Sequence, residues 1–210
     1  ISRSLGRQDH DAAGTIAATG FYSALAAGIV FAALGLIFLT PLMGLLGSTP
    51  TILPFAKDYV FYILLGAPWL MASLVLNNQL RLQGSAFFAM IGIGLGALLN
   101  VGLDPLFIFT LNMGVSGAAL ATAISQFASF LILFAATTKG GNIVPRLRNV
   151  RVRRSQYAEI LKGGLPSFWR QGLGSVASAV LNVSAGAFGD WAIAGMTVVT
   201  RIMMFAASAI

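Results

Sequence analysis

The stretch AFFAMIGIGLGALLNVGLDPLFIFT, residues 86–110, carries one charged side chain, Asp104, in an otherwise apolar run. A helix needs about 20 apolar residues to cross the hydrocarbon core of a bilayer. Only helices and closed barrels satisfy all their backbone hydrogen bonds there, and this run lacks the alternation of a barrel strand. The stretch therefore predicts a transmembrane helix with a carboxylate inside it.

Further apolar runs repeat this pattern along the chain of 210 residues. The chain is 57% hydrophobic and only 9% charged, whereas a soluble domain is about 25% charged. We therefore predict an all-α fold, a polytopic membrane helix bundle with six transmembrane helices. The predicted spans are residues 12–39, 59–80, 86–110, 115–138, 163–184 and 190–210.

The ends of the chain and its rare residues narrow the class further. It starts at Ile1 without a secretory leader and stops inside an apolar run, so we expect an internal piece of a larger protein. The absence of cysteine excludes disulfides and thiolate metal sites. The single histidine, His10, lies in a charged segment, and we interpret it as a solvated loop residue.

Lysine and arginine predict the orientation of the spans, because such residues concentrate in cytoplasmic connections. One set of alternate connections, 1–11, 81–85 and 139–162, holds ten basic residues, and the opposite connections hold only Lys57. The first set is therefore predicted to be cytoplasmic. Its basic residues are Arg3, Arg7, Arg81, Lys139, Arg146, Arg148, Arg151, Arg153, Arg154 and Lys162.

The run RLRNVRVRR, residues 146–154, has a second interpretation as a nucleic-acid or anionic-lipid patch. It has no interleaved aromatic residues, and it adjoins two predicted spans. We therefore assign it to topology and headgroup contact in the lipid bilayer, and we predict no nucleic-acid partner.

Asp104 is predicted to lie within a group of oxygen atoms. Asn100 is one turn deeper on the same helix face, and Pro105 has no N–H to bond the carbonyl of Val101. The next span runs back antiparallel after a short turn. Its polar residues Thr122 and Gln126 should therefore lie level with Asp104 and Asn100, respectively.

Such neutral and acidic oxygens suit a hard cation, Na⁺ if the ligand is a metal, or a proton. We therefore select Asp104, Asn100 and Thr122 as a cation or proton site, since polar groups at membrane depth are costly. A structural alternative stays open, in which Asp104 caps a kinked helix end and the others join helices.

Glycine and the remaining polar residues complete the predictions from the spans. Gly92 and Gly96 place two small residues on one helix face, which allows a neighbouring helix to approach closely. Side chains that could line a substrate cavity are Gln126, Arg170, Gln171 and Arg201.

Six motifs in order resemble the multidrug and toxic compound extrusion (MATE) family. They are ISRSLGRQD, NNQLRLQGS, NVGLDPLFIF, GVSGAALATAISQ, GGLPSFWRQ and FGDWAIAGMTVVTRI. The resemblance implies part of a twelve-helix, two-lobe transporter, here its third to eighth helices. Residues 1–138 would belong to the amino-terminal lobe, residues 139–162 would form the cytoplasmic inter-lobe connection, and residues 163–210 would begin the carboxy-terminal lobe.

The resemblance also implies a function. The whole protein would export organic, often cationic, compounds in exchange for Na⁺ or H⁺ across a prokaryotic inner membrane. It would be a monomer and not an enzyme, with no cofactor beyond the coupling ion. The family's Asn-x-x-x-Asp and Thr positions match Asn100, Asp104 and Thr122, while an aspartate of its first helix lies outside this chain. No acidic residue stands in the seventh-helix region PSFWRQGLGS, which implies the branch that uses the first lobe.

Two rival functions fit single features of the sequence. A lipid-linked saccharide flippase of the same superfamily needs a strongly basic cavity for phosphates, and only Arg170 and Arg201 are candidates for it here. An intramembrane aspartyl protease needs two facing aspartates, and Asp190 falls at the outer boundary of its span rather than beside Asp104. We therefore favour the ion-coupled exporter.

Overall fold

The computed structural model describes residues 1, 4, 6–139, 142–151, 154–186 and 188–208. These parts of the chain contain helices and no strand. The α-helices are α1 (His10–Ile37), α2 (Leu39–Leu45), α3 (Leu53–Leu82), α4 (Ala86–Pro105), α5 (Gly114–Thr137), α6 (Arg154–Gly186) and α7 (Asp190–Ser208). A π-helical turn follows α4 at Leu106–Thr110, and a 3₁₀ turn lies at Leu147–Asn149.

Within the described residues, four helices are long and apolar enough to cross a membrane, which makes the chain a multi-pass membrane protein. They are His10–Ile37, Leu53–Leu82, Ala86–Thr110 and Gly114–Thr137, and the third has the predicted bounds. The fifth and sixth predicted spans form α6 and α7. Polar side chains lower the hydropathy of α6, Gln171 and Asn182 among them. In α7 the apolar helical stretch, Ala194–Met203, is short. The number of six spans therefore stays a prediction.

Three helices differ from the predicted spans by more than a few residues: α3 begins at Leu53 rather than at 59, α2 is additional, and α6 begins early. The short helix α2 lies in a segment predicted to be a connection, and its Pro41 falls in the first turn. First-turn N–H groups have no intrahelical partner, so proline is tolerated there. Helix α6 begins at Arg154 rather than at 163 and continues through Pro166.

The chain divides into two compact units. Unit 1 comprises Ile1–Ile37 and Asp58–Ala158, and unit 2 comprises Phe38–Lys57 and Glu159–Ile210. Unit 1 contains all of α1, α4 and α5, most of α3, and the predicted ion site. Its core is a cluster of buried side chains from these helices: Phe21, Ala72, Leu76, Leu80, Ala89, Leu133 and Ala136.

Small residues bring α4 and α5 together, as the sequence predicted. A Cβ atom added at Gly96 would lie 2.8 Å from the Cβ of Ser129, and one at Gly92 would lie 2.5 Å from the Cγ of Leu133. The hydroxyl of Ser129 donates to the carbonyl oxygen of Gly92 at 2.9 Å. Without glycine at these positions, the helices would have to separate.

Buried amides join α3 to its neighbours. The Asn77 side chain donates to the carbonyl of Ala89 in α4, and the Gln79 side chain donates to the carbonyl of Ala17 in α1, each at 2.8 Å. Both amides are buried. They fix the positions of α1 and α4 relative to α3, because an unbonded amide is costly away from water.

The segment after α5 folds back onto unit 1, and we call residues 142–151 the strap. Thr19 of α1 accepts a hydrogen bond from the Arg151 N–H at 3.2 Å. The Tyr22 hydroxyl donates to the carbonyl of Pro145 at 3.4 Å, and Pro145 is fully buried. The N–H of Ile143 donates to the side-chain oxygen of Gln83 at 2.6 Å. The strap is therefore an ordered part of unit 1.

Candidate functional site

The predicted ion site lies where α4 and α5 face each other. The side-chain nitrogen of Asn100 donates to Asp104 Oδ1 at 3.3 Å and to Thr122 Oγ1 at 3.4 Å. Thr122 in turn donates to the carbonyl of Ala118, one turn earlier, at 2.9 Å. All three predicted ligands are half-buried. A single amide thus stands between a carboxylate and a hydroxyl at the depth of the spans.

The register of the two helices differs from the predicted one by about one turn. Thr122 lies level with Asn100, whereas the sequence had placed it level with Asp104. The π-helical turn Leu106–Thr110 explains the shift. Because i→i+5 bonding puts more residues into each turn, these residues add less length, and Asp104 lies closer to the end of the hairpin. Residues nearer the start of α5 are then level with it.

A tight turn fixes this register. Asn112 adopts a left-handed conformation with φ of 50°, and Gly114, at the start of α5, has φ of 55°. A Cβ atom at Gly117 would lie 2.9 Å from the carbonyl carbon of Phe107. The first turn of α5 thus packs directly on the π-helical turn, and this contact determines which side chains face each other further along.

A cavity of about 270 Å³ extends from the site between α3, α4 and α5. Its polar lining includes Asn100, Thr122 and Gln126, so the structure places this predicted cavity residue beside the ion site. Leucine and isoleucine side chains complete the wall. The lining residues are Leu70, Ser73, Leu74, Ile93, Gly96, Ala97, Asn100, Thr122, Ser125, Gln126 and Ser129.

Three serines of this cavity, Ser73, Ser125 and Ser129, were not among the residues predicted from the sequence. Ser73 is 7% exposed and Ser125 is 5% exposed, and neither hydroxyl has a hydrogen-bond partner among the described residues. A signal for Ser125 and Ser129 was present, since together with Thr122 and Gln126 they follow the three- and four-residue spacing of one helix face. Ser73 gave no such signal.

The remaining predicted cavity residues lie in unit 2. Arg170 and Gln171 are in α6 and Arg201 is in α7, and all three side chains are exposed within the described structure. Their role in a substrate cavity therefore stays a prediction. Asp190 begins α7, and its side chain lies outside the described residues.

Comparison with known proteins decides the family. The MatE family model matches residues 1–106, which is more than half of the chain. The chain belongs to the MatE family. This confirms the resemblance found in the sequence, and with it the membership in a family of transporters rather than enzymes. The match covers α1, α3 and α4 of this MatE chain, including Asn100 and Asp104.

Individual relatives agree with the family. The multidrug export protein MepA of Staphylococcus aureus (strain bovine RF122 / ET3-1) is 29% identical over 206 residues, which is 98% of this chain and 46% of the relative. The MatE chain thus spans about half the length of the curated relatives it matches.

Solved structures show the same fold. An inward-facing multidrug resistance MATE family transporter of the MOP superfamily superposes with a TM-score of 0.89 at 32% identity, covering 98% of this chain and 47% of that one. A MOP superfamily transporter from Pyrococcus furiosus Vc1 superposes with a TM-score of 0.81 at 33% identity, covering 97% and 46%. For the Pyrococcus furiosus transporter, the reverse polarity of its binding pocket was taken to suggest a different function.

Proposed function

We propose that the full-length protein is an ion-coupled multidrug exporter of a prokaryotic inner membrane. It would move organic, often cationic, compounds outward in exchange for Na⁺ or H⁺. The observation that carries this proposal is the group formed by Asp104, Asn100 and Thr122. A carboxylate, an amide and a hydroxyl meet between two membrane-spanning helices, where each group would be costly without a role.

The chemistry of the group suits reversible ion binding. With Na⁺, the Asp104 carboxylate would supply the charge, and Asn100 and Thr122 would supply neutral oxygens. The Asn100 amide now points its nitrogen, a donor, at both oxygens. Binding of a cation between them requires the amide to turn and present Oδ1. With H⁺, the carboxylate itself takes up the proton.

Ion binding would then drive transport through helix packing. Occupancy changes the net charge of a group held between α4 and α5, and Pro105 and the π-helical turn interrupt regular helix beside it. A packed interface with two stable arrangements is what alternating access requires. The ion and the exported compound would compete through these arrangements or for overlapping space.

Transport by the full-length protein in vesicles, with Na⁺ and pH gradients imposed separately, tests the proposal. We expect export of a cationic dye to depend on one of the two gradients. Asp104→Asn should abolish this dependence and leave expression and membrane insertion nearly intact. Asp58→Asn, a matched loss of a carboxylate outside the site, should not. Dye export by Asp104→Asn with the wild-type rate and ion dependence would assign Asp104 a structural role only.

The orientation belongs to the same proposal. The basic connection, residues 139–162, would be cytoplasmic, and residues 40–58 would be external. Single cysteines at Arg148 and at Ser48 of the full-length protein, on a background without other cysteines, can be treated with an impermeant thiol reagent on intact cells. We expect labelling at position 48 only. Labelling at position 148 instead would show that the orientation is the opposite of the proposed one.

An anionic substrate is the second candidate function, as in a lipid-linked saccharide flippase. Arg170 and Arg201, both exposed in unit 2, favour it. Unit 1 offers neutral side chains around its cavity, and this supports the exporter. Preference of the vesicle assay for anionic over cationic cargo would favour the flippase.

A further inference from the structure

Gln126 of α5 is a polar side chain at membrane depth that packs against a glycine of α3. Its side-chain oxygen is buried and has no hydrogen-bond partner among the described residues. It faces α3 at a glycine, because a Cβ atom added at Gly66 would lie 2.5 Å from Gln126 Oε1. Buried oxygens of this kind are usually bonded. An unbonded one indicates a packing that is not the best available to these groups.

The α3 side of this contact is a weak point of the helix. Pro68 lies inside α3, two residues after Gly66. Proline has no N–H to bond the carbonyl of residue 64, and its ring pushes against that carbonyl, so helices bend there. Gly66 adds a position without a side chain directly before the bend. This part of α3 can therefore change its packing against α5 at lower cost than a regular helix.

The α5 side of the contact leads to the ion site. Gln126 follows Thr122 by four residues, so both side chains lie on one helix face. Both also line the same cavity, together with Asn100. Thr122 accepts the hydrogen bond from Asn100. A shift of α5 that moves Thr122 relative to Asn100 therefore moves Gln126 relative to Gly66.

We propose that Gln126 is a positioning residue that links the Asn100–Thr122 pair to the proline-containing part of α3, so that ion binding and the packing of α3 on α5 change together. This inference rests on the proposed function of the site. In the packing described here, the Asn100 nitrogen points at the two oxygens that a cation would need, while the Gln126 oxygen stays unbonded. Ion binding turns the amide and favours a second packing in which the Gln126 oxygen gains a partner.

Linkage gives the direction of each mutational effect. Gln126→Met keeps the length of the side chain and removes the unbonded oxygen, so it stabilises the packing described here. It should raise the ion concentration for half-maximal transport about fivefold or more, with less than a twofold change in maximal rate. Gly66→Ala pushes against the oxygen and destabilises this packing. It should lower the half-maximal ion concentration.

A double-mutant cycle in the full-length protein tests the link. With Gln126→Ala present, the nearest atom that Gly66→Ala would strike is gone, and the remaining contacts are with Ala123 at 3.3 and 3.4 Å. We then expect Gly66→Ala to leave the half-maximal ion concentration within twofold. Gly94→Ala is the matched control, since a Cβ atom at Gly94 would meet nothing within 4 Å among the described residues. A purely structural role predicts loss of protein without these opposite shifts.

The outcomes separate this inference from the proposed function. Absence of ion-dependent export by the wild type would overturn the proposed function, and the inference with it. Ion-dependent export by the wild type, together with an unchanged ion dependence in Gln126→Met, would overturn the inference alone. Additive effects of Gly66→Ala and Gln126→Ala would do the same, because the two residues would then act independently.

Discussion

Two groups of polar side chains stand out in the sequence, one in unit 1 and one in unit 2, and they have different outcomes in the structure. In unit 1, Asn100 bonds both Asp104 and Thr122. In unit 2, Arg170 and Arg201 are exposed. The first group lies on two helices joined by a very short turn, so each helix dictates the neighbours of the other. The helices of the second group, α6 and α7, are also adjacent in the chain, but Arg170 and Arg201 carry the same charge and neither side chain can accept a hydrogen bond from the other. Polar residues in a membrane helix can thus be paired from sequence when the partner is on the adjacent antiparallel helix and is chemically complementary.

The strongest test of this comparison is to separate α4 and α5, the two helices of unit 1 that hold the ion site. Gly96→Leu places a side chain where even a Cβ atom would be 2.8 Å from Ser129. Overpacking of this kind costs about 1–3 kcal/mol or more. We expect a lowered Tm of the purified full-length protein in detergent and loss of ion-dependent transport. Gly94→Leu, at a position where an added Cβ atom meets nothing within 4 Å among the described residues, should stay close to the wild type. Equal losses in both variants would contradict the packing described for α4 and α5.

A smaller effect is expected from the neutral members of the ion site. Asn100→Ala removes the donor that joins Asp104 to Thr122, and a hydrogen bond to a charged group contributes about 1.5–3 kcal/mol. We expect the half-maximal ion concentration to change about tenfold or more, and Thr122→Ala to change it less, with Thr122→Ser close to the wild type. Gln171→Ala serves as the control from unit 2. If Gln171→Ala changed the half-maximal ion concentration more than Asn100→Ala does, the ion site would have to be assigned to unit 2 instead of unit 1.

The arginines of unit 2 should affect cargo rather than ion. Arg170→Gln and Arg201→Gln remove a positive charge and keep a polar side chain. If the two residues line the substrate cavity, the variants should raise the apparent affinity for cationic dyes, by about twofold to fivefold for charges screened in a hydrated cavity. Their half-maximal ion concentration should not change. Dye competition in vesicles measures the first quantity, and a changed ion dependence would place these residues in the coupling machinery instead.

The smallest effect concerns the strap. Thr19→Val keeps the shape of the side chain and removes both hydrogen bonds between Thr19 and Arg151. The net loss should be about 1–2 kcal/mol of strap docking. We expect faster trypsin cleavage after Arg148 in inside-out vesicles, with transport nearly unchanged. Thr15→Val, whose hydroxyl bonds only within its own helix, is the control. Equal cleavage of both variants would show that the strap is held by other contacts.

Much of this architecture could be predicted from the sequence, because span length and apolar content are local properties. The third span was placed at residues 86–110, as observed, and the close contact at Gly92 and Gly96 followed from their spacing. The group of Asp104, Asn100 and Thr122 was also found, since their helices are adjacent.

What could not be predicted depended on local backbone geometry or on distant partners. The π-helical turn after Pro105 shortened the end of the hairpin and changed the register by about one turn. Ser73 faces the cavity from a helix that is not adjacent in sequence to α5, so no spacing rule applied to it. Gln79 lies near the end of a span, where polar side chains commonly reach water, yet it is buried and bonded to Ala17.

The strap has a consequence for how much free chain lies between α5 and α6. A flexible connection of this length would allow the distance between the two helices that it joins to vary by many ångströms. Here the chain is fastened at Ile143, at Pro145 and at Arg151, and again where the hydroxyls of Ser23 and Tyr157 meet at 2.6 Å. The first turn of α6 is therefore held against α1 by the contact between Tyr157 and Ser23. An insertion into the connection should lengthen the chain between two fixed contacts and leave both contacts in place.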